Sequence, residues 1–272
     1  AGATGKTEAI DQAFRQKIEV AAEWLQNGRD PSGKPFTGND YRKAYNDAVF
    51  ERMAQLKLLR QDGAIPKSKD SELIEAYYQL YETARLPTGQ IDYEKLDQLA
   101  VQFEADHPQV RDQLDKLVGA KDDPVAAQYR KAREQAKEYY QIPAFKGLTL
   151  EESQKASEVL SMANAYVSVG AAPGRKQALQ LLISKGLISE QEANLALKAA
   201  RNGANPERKA FRVSHPEFAK FYSDAPLLDE VGQNYPIAIR GGGRAGKPRF
   251  VSDTGFSAMM RKRGYSALVG SR

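Results

Sequence analysis

The residues with the strongest chemical character lie together near one end of the sequence. Arg240, Arg244, Lys247, Arg249, Arg261, Lys262, Arg263 and Arg272 fall within the last 33 residues, where Asp253 is the sole acid. Eight basic groups against one acidic group give that segment +7, while the 272-residue chain carries +5. Residues 1–239 therefore sum to −2, and the sequence pI of 9.1 reflects the segment rather than a uniformly basic surface. The stretch 240–250 is glycine-rich, whereas Met259-Met-Arg-Lys-Arg263 is a compact basic block followed by Tyr265. Phosphates would satisfy such a segment, with Phe250 or Tyr265 able to stack on bases. An acidic face of a neighbouring subunit would satisfy it equally. The residues expected to make this contact are Arg240, Arg244, Lys247, Arg249, Arg261, Lys262, Arg263 and Tyr265. No helix-turn-helix or finger pattern places side chains against base edges, so any nucleic-acid contact is expected to be non-specific.

Other groups capable of chemistry point to quieter roles. Gly2-Ala-Thr-Gly5-Lys6-Thr7 ends like a phosphate-binding loop, but it lacks the first glycine of that motif and a preceding strand. Thr7 is read instead as a helix cap behind a flexible start. His107 and His215 each precede a proline, at expected helix entrances. Two histidines without cysteine do not make a zinc site of the usual kinds, and no calcium-loop spacing occurs. The pairs Glu151-Glu152, Asp122-Asp123 and Asp229-Glu230 could suggest acid–base chemistry, yet each sits where a helix start or solvated turn explains it. Neither a nucleophile elbow nor a dinucleotide fingerprint is found. The expectation is a non-enzymatic protein with no cofactor and no metal. A cell-wall hydrolase is the enzyme class held against it, because two carboxylates at a cleft would suffice for that chemistry.

Helices must position these residues. Ile10, Phe14, Ile18, Ala21 and Leu25 recur at spacings of three and four, which predicts a helix over about 7–26. Tyr41, Ala44, Tyr45, Ala48, Val49, Met53 and Leu56 mark a second helix after Asn39 or Asp40. A third is expected over about 71–85. Asp92 should cap a short helix, His107-Pro108 should separate it from the next, and Asp123-Pro124 reads as an N-cap followed by proline at the first helical position. That helix should reach Tyr140. Thr149-Leu-Glu-Glu152 and Ser189-Glu-Gln-Glu192 are capping boxes, in which a hydroxyl and a glutamate satisfy each other's helix-end amides. Beyond Asn202, Gly, Asn and Pro recur, so order is expected to thin to short pieces around 216–222, with 234–239 extended. The 13 tyrosines are read as core first and as helix or subunit contacts second.

The fold class that follows is all-α: a multi-helix, bundle-like body with helical hairpins and an extended basic C-terminal tail. Three regions are expected: an N-terminal helical domain over 1–146, a helical hairpin region over 147–239, and the basic glycine-rich tail over 240–272. No apolar run is long enough to span a bilayer, the first residues do not read as a secretory signal, and a chain without cysteine fits a reducing compartment.

Two stretches carry a resemblance. Leu182-Ile-Ser-Lys-Gly186-Leu-Ile-Ser189-Glu-Gln-Glu192 resembles the helical hairpin of short oligomerisation domains. Tyr139-Tyr-Gln-Ile-Pro-Ala-Phe-Lys-Gly-Leu-Thr-Leu-Glu-Glu152 is similar to segments of internal virion proteins of tailed bacteriophages, the ejection proteins. The latter resemblance implies an oligomeric structural component located in the virion, and in the host cytoplasm during assembly. It also implies that the protein travels with the genome, helps form a conduit, and contacts neighbouring subunits and packaged DNA. It carries over no catalytic residue. The alternative is a nucleic-acid-binding accessory module that uses the tail.

Overall fold

The computed structural model describes the backbone of residues 2–64, 69–119, 123–222, 239–242 and 248–251. Two compact units result, 1–225 and 226–272. Among the described residues the first holds eleven helices, so the fold is all-α. None of the described helices is long and apolar enough to cross a membrane.

Helix α1 (Gly2–Asn27) packs along α2 (Gly38–Gln61), burying Phe14, Ile18 and Ala21 against Tyr45, Val49 and Met53. It begins earlier than the apolar spacing suggests, which places Lys6 and Thr7 inside the helix, not at its cap. Gly5 costs only about 1 kcal/mol there, too little to stop propagation. The true cap of α2 is Thr37, whose hydroxyl accepts from the Asp40 amide while the Asp40 carboxylate accepts from the Thr37 amide at 2.8 Å. α3 (Lys69–Thr83), α4 (Tyr93–Asp106), α5 (Pro108–Val118) and α6 (Pro124–Tyr140) continue the body. Asp123 accepts from the Val125 amide at 2.7 Å with Pro124 in the first turn, as its sequence requires.

From residue 147 the chain builds a smaller arrangement. α7 (Leu150–Ser168) covers the hairpin formed by α8 (Arg175–Ser184) and α9 (Glu190–Asn202). Ala156, Val159, Leu160 and Ala163 of α7 are fully buried, as are Ala178 and Leu182 of α8 and Ala196 and Ala199 of α9. Small side chains let these helices approach closely. Gly186, at φ 67°, makes the left-handed turn that ends the first arm. Much of the hairpin's apolar surface is thus covered by its own chain.

Two short helices then return to the first core. The short piece expected around 216–222 is α11 (Pro216–Phe221), and a further helix, α10 (Pro206–Ser214), precedes it where the sequence suggested none. Asn205 accepts from the Glu207 amide at 3.0 Å and Pro206 follows it, so the Asn-Pro pair starts a helix just as Asp123-Pro124 does. His107 and His215 each stand at the junction of two consecutive helices. Phe218, Phe221 and Tyr222 are wholly buried against α2 and α6, which contributes about 2 kcal/mol for each ring. The onset at 147 therefore marks a new set of helices, while 206–222 rejoins helices of the 1–146 region.

The second unit contains an antiparallel pair, β1 (Ile239–Gly242) with β2 (Pro248–Val251). Arg240 stands opposite Phe250 and Gly241 opposite Arg249. This ladder falls within a glycine-rich stretch in which the sequence suggested no strand pair.

Candidate functional site

Of the sequence-derived contact residues, Arg240 and Arg249 occupy adjacent rungs of the β1–β2 ladder. Arg244, Lys247, Arg261, Lys262, Arg263 and Tyr265 lie outside the described residues, as does the Asp229-Glu230 pair.

The described unit carries ionisable chemistry that the sequence did not announce. Arg133, on the inner face of α6, is sandwiched by two carboxylates from α4. Its Nη1 donates to Asp97 Oδ1 at 3.0 Å, and its Nη2 donates to Glu104 Oε1 at 2.9 Å. Tyr140 Oη donates to the second Asp97 oxygen at 3.0 Å, and Tyr77 Oη donates to Glu104 Oε1 at 2.9 Å. Asp97 is fully buried, and Arg133 and Glu104 keep under a tenth of their side-chain surface. Burial pushes the Tyr77 and Tyr140 hydroxyls up, and the adjacent carboxylates push them further. Burial disfavours the Arg133 cation, but Glu104, Tyr129 and Asp97 outweigh it and hold the guanidinium charged. Nearby, Arg42 donates to Asn39 Oδ1 at 2.7 Å and lies 4.7 Å above the Tyr222 ring. Every acidic oxygen here has a donor, so the cluster fastens helices and leaves no poised base.

A second carboxylate group behaves likewise. Asp47 of α2 accepts from Tyr93 Oη at 2.7 Å and from Tyr81 Oη at 3.3 Å, joining α2 to α3 and α4. Burial raises its pKa, and the two hydroxyls partly offset that. Glu151 and Glu152 sit in the first turn of α7, where Glu152 closes the capping box, and Asp123 caps α6.

A cleft of about 290 Å³ with a mixed polar and apolar lining opens beside these groups, where α4, α6 and α7 meet. Glu94 and Arg208 face each other on one side at 3.4 Å, and Lys95 pairs with Glu158 at 3.1 Å on the other. Burial raises the Glu94 pKa, against the pull of Arg208. The Arg208 guanidinium is fixed by the Ile142 carbonyl at 2.9 Å and by the Tyr139 face 4.4 Å away. Among the described residues no cluster of histidines or carboxylates is arranged to hold a metal ion.

The sequence missed both the buried network and the cleft, because their partners are tens of residues apart and meet only through helix packing. The one available signal was the position of Asp97, Glu104 and Arg133 on otherwise apolar helix faces. Comparison with protein-family models, with curated proteins and with solved structures finds no match to this chain.

Proposed function

We propose that this chain is a non-enzymatic helical component of a larger phage-like virion assembly. In this reading the body contacts neighbouring subunits, and the basic segment 240–272 anchors it to those neighbours or to packaged DNA. The observation that carries the reading is the division of charge. The buried ion cluster of the body, Arg133 with Asp97 and Glu104, is closed on itself. The net positive charge is concentrated in a segment that also contains a strand pair. A body of this kind supplies rigidity and helix faces, and the cationic segment supplies attachment.

A non-specific nucleic-acid-binding accessory module is the second reading. The charge of 240–272 supports it, with eight basic side chains against a single acidic one. Sedimentation of the intact chain and of a variant lacking 240–272, alone and with a generic DNA duplex, separates the two. For the assembly reading the expected result is a concentration-dependent oligomer. Under the second, a monomer shifts only with DNA and releases it steeply as salt rises. With about six phosphate contacts the affinity would fall roughly a thousandfold between about 50 and 200 mM salt. A monomer indifferent to both DNA and concentration would overturn both.

A further inference from the structure

The cleft between α4, α6 and α7 holds hydrogen-bonding capacity that the fold does not use. Gln98 of α4, Gln154, Ser157 and Ser161 of α7, and Gln141 just after α6 all line it. None of these five side chains takes a hydrogen bond from, or gives one to, another described residue. The buried carboxylates elsewhere are satisfied within the fold, as Asp97, Glu104 and Asp47 show. Here it gathers unspent amides and hydroxyls around one hollow.

Charge narrows the class of ligand. Asp92, Glu94 and Glu158 face Lys95, Lys137 and Arg208 around the cleft, so the ionic lining is balanced. Two of these acid–base pairs are already closed on each other, and Asp92 is occupied in capping α4. A phosphate-bearing or strongly acidic ligand would find no field to draw it in. An apolar ligand would strand the amides without partners, at a cost comparable to the lost hydrogen bonds. Amides and hydroxyls both give and accept hydrogen bonds, and their complement is a neutral molecule that alternates the same two functions. Leu99 and Leu150 add an apolar surface among them, suited to the CH faces of a ring. The volume of about 290 Å³ stands at the low end of small-molecule pockets, which run from about 300 to 1,000 Å³.

We infer that this cleft is a binding site for a neutral, hydroxyl-rich small molecule, a mono- or disaccharide, held by Gln98, Gln141, Gln154, Ser157 and Ser161. Glu94 and Arg208 fix one wall of the site. This inference is independent of any role of the basic segment.

The test is a titration of the intact chain with maltose and with diacetylchitobiose, followed by amide and glutamine side-chain NMR shifts. The expected result is a saturable response to at least one sugar, confined to 92–102, 137–141 and 150–161. The paired substitution Gln98→Leu with Gln154→Leu should weaken that response about tenfold or more while leaving the thermal midpoint in place. Ser157→Leu, which fills the cleft from α7 alone, should abolish it, and it serves should the paired variant fail to fold. No saturable response to either sugar overturns the inference. So does a response that maps elsewhere, one that survives Ser157→Leu, or a stronger response of the same residues to inorganic phosphate.

Discussion

Replacing Arg133 by methionine should leave Asp97 and Glu104 buried without their shared cation. Removing one member of such a group costs far more than the group's net worth, because an uncompensated charge stays behind. Urea unfolding of Arg133→Met should show a loss of about 3–5 kcal/mol. Glu192 tests the opposite regime, at the surface. Lys155 at 2.8 Å and the Ser189 amide and hydroxyl hold its carboxyl down to about 2. The folded value lies below the ordinary 4.5, so the stability it contributes is present above that pH. It is lost as pH falls toward about 2. Glutamine keeps the capping geometry without the charge. Glu192→Gln should therefore lower stability at pH 7 by under about 1 kcal/mol. The same variant should flatten the acid limb and match the parent near pH 2. Urea midpoints across that range check it.

At the scale of elements, the entry of α2 and the backbone of α11 are in closer contact than any side chain would allow. A Cβ at Gly38 would stand 2.2 Å from the Lys220 carbonyl oxygen. Gly38→Ala must push α11 outward and disturb Tyr41, Phe221 and Tyr222, costing about 1–3 kcal/mol, read as a drop of several degrees in the thermal midpoint. Which elements were legible follows from how local their signals are. Asp123-Pro124, Thr149–Glu152 and Ser189–Glu192 each complete their hydrogen bonds within four residues, and the structure forms all three. Asn205-Pro206 carries the same signal, but the glycine, asparagine and proline around it read as breakers and hid a helix. Gly38 gave no sign of its role, since Lys220 is far away in sequence. The β1–β2 pair was equally hidden, because glycine, arginine and proline make weak strand sequences and register is settled across the ladder.

For the whole molecule, the helical class was readable because apolar residues recur at helical spacing over nearly every segment of the body. The site was not, because a buried ion cluster is a property of packing. Arg133 meets Asp97 across 36 positions and Glu104 across 29. Only their place on otherwise apolar helix faces distinguishes those three from the solvated charges beside them. The charge division, by contrast, was fully visible in composition. The deletion of 240–272 used in sedimentation should leave the urea midpoint of the 1–225 unit unchanged, since among the described residues its core is built from positions 14–222.

The burial of Phe218, Phe221 and Tyr222 at the centre of the first core has a consequence for synthesis. A nascent chain emerges in order, so α1 to α6 are exposed while their closing helix has yet to be made. Their aromatic faces must wait through the translation of α7, α8, α9 and α10, roughly 3–15 seconds at about 5–20 residues per second. During that interval Tyr41, Tyr129 and Tyr139 present an open groove to any chaperone or neighbouring nascent chain.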